Sequence, residues 1–323
     1  MGGAGSCRGD RQGRPRGIRG TKHLGENAPV DVHTLFTLAS TTKAFVASAL
    51  GILVDDGKLR WDDPVIRYVP EFRVTDPYVT REVTIRDLLV HRTGIEEMDV
   101  LWLRGFGTRA ALERMQNAKQ STSLRSTWAY NNMMYVVAAE VVARVTGTKF
   151  EDFVAQRIFA PAGMTDSTFT NPDLLKRANV TGSHLIVNGT ARKTAPYLSE
   201  SPLGAAGIQS SAADMAKWLQ LLLNEGRVGD KAVVKAETVA EGFKPQMLLA
   251  NIGYPAARHA RPHFYAYGLG WFLQDYQGRL VAMHTGSLYG ANALAAVVPE
   301  ENLGLVILIN AGPVEYRHAF MYD

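Results

Sequence analysis

Ser40-Thr41-Thr42-Lys43 sets a hydroxyl and an amine three residues apart, and on a helix residues three apart share a face. An amine within reach of a serine hydroxyl can take its proton, provided burial pulls the lysine down from its usual pKa of ~10.4. A serine at a helix start also places its own N–H among the unpaired donors of the first turn, where a developing oxyanion is stabilised. The spacing alone is a weak signal, because a helix-capping serine accounts for Ser40 without chemistry. Two further groups strengthen it. Tyr130-Asn131-Asn132 precedes an apolar helical run, so the Tyr130 hydroxyl can relay a proton and the Asn132 amide can orient a substrate carbonyl. The plainer reading makes Asn132 that helix's N-cap. His284-Thr285-Gly286-Ser287 follows a stretch read as a strand. There Gly286 permits close approach of a substrate, Ser287 offers a second oxyanion N–H, and His284 can hydrogen-bond the tyrosine or the substrate.

These residues need elements to hold them. Thr41 to Val54 is apolar on nearly every face, which predicts a buried helix stopped at Asp55-Asp56-Gly57. Thr84-Ile85-Arg86-Asp87 has the form of a capped helix start and leads into Leu88, Leu89 and Val90 before Gly94. Helices are expected over Met133 to Val145, closed by Gly147, and over Ala212 to Leu223. Strands are expected at Tyr267 to Phe272, Leu280 to His284, Ala291 to Val298 and Gly304 to Asn310. The turns between them fall at Gln277-Gly278, Gly286–Gly290 and Glu300-Glu301-Asn302, short enough to imply an antiparallel sheet. The predicted layout has three parts. Residues 1–24 form a basic, flexible tail, residues 25–79 with 226–323 an α/β region, and residues 80–225 a helical region between its halves.

Bulk properties narrow the function classes. The chain has 323 residues, of which 46% are hydrophobic and 20% charged, so it is globular and long enough for a large core. Cys7 is the single cysteine, which excludes an intrachain disulfide. The net charge of +4 belongs to one end: residues 1–22 sum to +5 and the other 301 to −1. No aromatic residue interleaves with those arginines, so no nucleic-acid partner is expected. No stretch approaches the ~20 apolar residues of a membrane span. The first thirty residues hold no apolar run of signal-peptide length, so the expectation is a cytoplasmic protein as written, with a periplasmic parent as the alternative. No cofactor or metal is expected, since the eight histidines show no ligand spacing with Cys or acidic partners.

Ser40-x-x-Lys43, Tyr130-x-Asn132 and His284-x-Gly286, in that order, resemble the serine β-lactamase and penicillin-binding-protein superfamily. Within it, the chain is most similar to the class C branch and its relatives, the family VIII carboxylesterases and D-amino-acid peptidases. Thr34-Leu35-Phe36, Leu88-Leu89-Val90-His91, Val145-Thr146-Gly147, Pro161-Ala162-Gly163-Met164 and Ala213-Asp214-Met215 look like landmarks of the same kind, and the resemblance covers about residues 28–311. It implies an α/β (α+β) fold in which helices flank an antiparallel sheet beside an all-helical region, with Ser40 at the junction. It also implies Ser40 as nucleophile, Lys43 and Tyr130 as the acid/base pair, Asn132 as substrate binder, and Ser40 and Ser287 N–H groups as the oxyanion hole.

The sequence departs from the pattern at His284, where β-lactamases carry a lysine for the substrate carboxylate. A neutral histidine offers no such charge, which points away from β-lactams and toward neutral esters or small amides. A β-lactamase or D-Ala-D-Ala peptidase is the alternative, and a non-catalytic ligand-binding relative the second. No Gly-x-Ser-x-Gly occurs, which sets aside an α/β-hydrolase esterase. Relatives carry a helix and two strands before the catalytic helix, whereas 39 residues precede Ser40 here, and Glu315 to Tyr322 supplies only the first turns of a closing helix. Completion of the sheet in a homodimer is one expectation that follows. Met247 to Phe264 is expected to overhang the site.

Overall fold

The computed structural model describes residues 5–6, 8–9, 15–103, 105–195, 203–250 and 261–322. An antiparallel sheet forms its centre, with strands in the order Gly5–Ser6, Leu303–Ile309, Ala291–Val298, Arg279–Leu288, Phe272–Tyr276, Tyr265–Tyr267 and Met247–Leu249. From Met247 onward, neighbours in the sheet are neighbours in sequence, as short turns require. Successive side chains leave opposite faces. Ala293, Ala295 and Val297 join a core shared with Phe45 and Leu50 of the helix Thr42–Asp55 and with Trp218 and Leu219 of the helix Ala212–Leu223. Leu294, Ala296, Ile307 and Ile309 face a second core, against which Met321 and Tyr322 of the closing helix Tyr316–Tyr322 pack. The expected α/β fold, an antiparallel sheet flanked by helices, is therefore the one observed.

Local chemistry sets the helix ends. Thr84 and Asp87 form a reciprocal capping box on Ile85–Leu89. The helix Asn132–Thr146 is capped by Asn131, whose side chain accepts from the Met133 N–H, and it ends on Gly147 at φ +69°. The N-cap reading for Asn132 is thus corrected by one residue, which frees the Asn132 side chain for other contacts. Lys22, near the end of the stretch read as a tail, donates to the Ala178 carbonyl at 3.0 Å. Among the described residues, no helix is long and apolar enough to cross a membrane.

Two strand expectations need correction, both at glycines. Tyr267 to Phe272 is split into Tyr265–Tyr267 and Phe272–Tyr276. The chain turns at Gly270, whose φ is +79° and where a Cβ would lie 2.9 Å from the Lys43 carbonyl oxygen. Second, His284 to Ser287 lies inside the strand Arg279–Leu288, and the expected turn over Gly286–Gly290 shrinks to Tyr289-Gly290. Both turn residues have positive φ, 46° and 93°, the type I′ geometry that suits a two-residue hairpin.

Gly286 is needed for packing rather than turning. A Cβ there would fall 2.0 Å from the Leu38 carbonyl oxygen and 2.8 Å from the Ser40 nitrogen, so the strand lies directly against the turn that carries Ser40. Gly286→Ala should cost ~1–3 kcal/mol through overpacking and push the strand off that turn. A thermal melt together with fluorophosphonate labelling checks this: the melting temperature is expected to fall and the reactivity of Ser40 to be lost, whereas wild-type labelling would mean that the contact is not needed.

Candidate active site

The chain enters the helix Thr42–Asp55 through a single 3₁₀ turn, Ala39–Thr41. Ala39 sits at φ +48°, a left-handed conformation that costs a residue with a Cβ ~1–2 kcal/mol. Strain of this kind persists only where surrounding structure imposes it, and the Gly286 strand does so here. Ser40 is half-buried in that turn, against Gly286 of the strand Arg279–Leu288.

Lys43 lies one turn further on with no solvent exposure. Its Nζ donates to Ser40 Oγ at 3.0 Å, to Asn132 Oδ1 at 2.7 Å and to the Ala205 carbonyl at 3.1 Å. Burial lowers its pKa from 10.5 to about 7, against the opposing attraction of Asp99. Near neutral pH a substantial share of Lys43 is therefore unprotonated and able to accept the Ser40 proton. The Tyr130 hydroxyl donates to the same Ser40 Oγ at 2.9 Å, and Lys43 Nζ stands 4.9 Å from the Tyr130 ring centre. The structure thus brings Ser40, Lys43, Tyr130 and Asn132 together: Lys43 and Tyr130 both reach Ser40 Oγ, and Asn132 reaches Lys43.

The other three candidates occupy the neighbouring strand. The two-residue turn makes Leu288 and Ala291 a hydrogen-bonded pair, so by alternation Ser287, opposite Asn292, is at a non-hydrogen-bonded position. Its N–H therefore points away from the Ala291–Val298 strand. On that other side the register with Phe272–Tyr276 stops at Met283, which leaves residues 284–288 facing the turn of Ser40. His284 is placed differently from expectation. Its Nδ1 donates to the Thr285 carbonyl at 2.7 Å, so its Nε2 accepts from the Tyr267 hydroxyl at 2.8 Å. Both ring nitrogens are used within the protein, the ring is 1% exposed, and burial lowers its pKa to about 3. His284 is a neutral buried group, bonded neither to Tyr130 nor placed at the surface of the cleft.

Three residues that the sequence does not single out for chemistry hold this arrangement. Arg317, from the closing helix, is 2% exposed and donates to the Gly286 carbonyl and to Ser287 Oγ at 2.7 Å, gripping the strand from behind. His91 is fully buried, and burial keeps it neutral, so its Nδ1 can accept the Asn131 N–H at 3.1 Å and fix the approach to Tyr130. Asp99 accepts from Asn132 Nδ2 at 2.9 Å. Only His91 carries a local signal, as the last residue of the Leu88–His91 landmark. The proposed overhang at Met247 to Phe264 includes a strand, Met247–Leu249, but residues 251–260 lie outside the described residues.

The family model described as Beta-lactamase matches residues 9–322. The chain is 29% identical over 307 residues to the unguisins hydrolase ungD' of Aspergillus campestris, a match covering 88% of this chain and 54% of that protein. It therefore spans about half that relative's length. It is 28% identical over 300 residues to penicillin-binding protein 4 of Amycolatopsis lactamdurans, with 91% and 76% covered. Among solved structures, the octameric penicillin-binding protein homologue from Pyrococcus abyssi superposes with a TM-score of 0.80 at 21% identity, over 99% of this chain and 72% of that one. That last likeness speaks for the fold, while the family model spans nearly the whole sequence, including all seven residues considered above. On these matches, the chain belongs to the Beta-lactamase family.

Proposed function

We propose that this chain hydrolyses small carboxylic esters, or closely related amides, through an acyl-enzyme on Ser40. The observation that carries this reading is the Ser40 Oγ held between Lys43 Nζ and the Tyr130 hydroxyl. Unprotonated Lys43 takes the Ser40 proton as Oγ attacks the ester carbonyl carbon. The carbonyl oxygen becomes an oxyanion, stabilised by the N–H groups of Ser40 and Ser287. The C–O bond to the leaving group then breaks, and Tyr130 supplies its proton, regaining one from Lys43. Water repeats the attack on the acyl-enzyme, losing a proton to the same pair; the bond from the acyl carbon to Ser40 Oγ breaks, Oγ takes that proton, and the carboxylic acid departs. Asn132 is read as steadying the acyl carbonyl side of the substrate.

The case for neutral esters over β-lactams rests on His284. A buried, neutral imidazole turned toward Tyr267 provides no cation for a substrate carboxylate. Similarity to the D-alanyl-D-alanine-carboxypeptidase/endopeptidase AmpH of Escherichia coli, 23% identical over 306 residues, favours D-Ala-D-Ala peptidase chemistry as the second reading. Intact-mass spectrometry after exposure to p-nitrophenyl butyrate, a fluorophosphonate and a penicillin decides between them. Butyryl and phosphonyl adducts that vanish in Ser40→Ala are expected, with penicillin slowest. Fastest labelling by penicillin would reverse the substrate order, and no adduct from any reagent on folded protein would leave a binding relative.

The pH dependence has a definite sign. The base must be unprotonated, so kcat/KM for the butyrate ester should rise about tenfold per pH unit below 7 and level off above it, following Lys43. A stopped-flow or plate-reader profile from pH 5 to 9 checks this; a flat profile would remove Lys43 from the role of base. Arg317 gives a further check. Arg317→Met releases the Gly286 carbonyl and Ser287 Oγ, and kcat/KM should fall about tenfold or more as the oxyanion position loosens. Unchanged kinetics in a folded Arg317→Met variant would show that the strand holds its place unaided.

A further inference from the structure

We infer that Asp99 is a positioning residue for the base: through Asn132 it fixes which way the amide faces Lys43. The inference rests on the reading of Lys43 as the base. Lys43 Nζ lies 2.7 Å from Asn132 Oδ1, and Asn132 Nδ2 lies 2.9 Å from Asp99 Oδ2. A carboxylate accepts hydrogen bonds and cannot donate them, so it selects the Nδ2 end of the amide. The oxygen end is thereby left for the lysine. Without Asp99 the amide could turn over and present an N–H to the ammonium, a repulsive contact in place of an attractive one. The chain Asp99–Asn132–Lys43–Ser40 is continuous at hydrogen-bonding distance, and it places a negative charge two residues away from the reacting oxygen.

The groups around Lys43 leave Asp99 as its main source of negative charge. Ser40 comes from the same entry turn and the Ala205 carbonyl from the Leu203–Ala206 helix. Tyr130 and Tyr135 present their rings at 4.9 and 5.2 Å. His91 and His284 both interact with it, and burial holds both neutral. Among the described residues, Asp99 raises the Lys43 pKa, against desolvation. Behind Asp99 stands Glu97, pushed up to about 7 by burial, by its hydrogen bond to Asp99 and by repulsion from it. Glu97 therefore gains charge over the same range in which Lys43 loses it, and the test must separate the two.

The experiment is an NMR titration of protein labelled with ¹³C-lysine, with the Lys43 signal assigned by its loss in Lys43→Arg. The wild-type midpoint is expected near 7. In Asp99→Asn it should move to lower pH by at least half a unit, and the acid limb of the ester-hydrolysis profile should move with it. In Glu97→Gln the Lys43 midpoint should move by less than in Asp99→Asn, because the neighbouring carboxylate is still present. Asp99→Glu should restore most of the wild-type midpoint. A Lys43 midpoint unchanged in folded Asp99→Asn overturns the inference, whatever happens to kcat. The titration needs no turnover, so a protein that never acylates at Ser40 would sink the proposed reaction while the Lys43 midpoint still decides the role of Asp99.

Discussion

An ammonium group removed from water must lose its proton or find enough polar partners to keep it, and Lys43 is held between these outcomes. Its three hydrogen-bond partners, Ser40, Asn132 and the Ala205 carbonyl, come from three separate stretches of chain. Desolvation outweighs them enough to bring the lysine near neutrality, which is where a base is most useful. A lysine with more solvent would stay charged, and one with fewer partners would cost more to bury. Packing of the helix Thr42–Asp55 against the core is what denies it water, so the lowered pKa of Lys43 begins with the apolar helix around it.

The groups that approach Ser40 are in turn fixed by polar contacts lying behind them. Asp87 caps its own helix and accepts from Arg92 and Arg125, whose hydrogen bonds, with that from the Thr84 N–H, hold its carboxyl below the usual range despite burial. Arg125 and Ala129 are tied by backbone hydrogen bonds to Arg92 and His91, so the approach to Tyr130 is laced to the segment that follows that helix. On the opposite side Arg317 pins the Gly286 strand.

Much of this was legible in the sequence, because the motifs are short and their partners local. Ser40 and Lys43 share one turn, Thr84 and Asp87 announce their own cap, and Ala291 to Val298 reads as a strand with the observed bounds. The misreadings share a cause. Gly270 and Gly286 look like punctuation in a sequence, yet the first is a turn packed on Lys43 and the second a strand residue with no room for a side chain. Adjacent Asn131 and Asn132 are interchangeable as caps on paper, and only the backbone decides between them. Asp99 and Arg317 could not be found this way. Each acts on a residue 33 and 31 positions away respectively, Asn132 and Gly286, and nothing in the residues beside them signals the pairing.

Those separations bear on how the protein comes to life. Ser40 and Lys43 meet Asn132, Tyr130 and the Ala205 carbonyl across 89, 90 and 162 residues of chain, and Gly286 lies further still. Contacts so distant form late, since the chain entropy of closing long loops must be met before any of them stabilises the fold. On a ribosome the order is stricter, because the N-terminal part emerges first. The strand that braces the strained turn at Ala39 runs only to Leu288, so the nascent polypeptide holds Ser40 without that brace until synthesis has passed this strand.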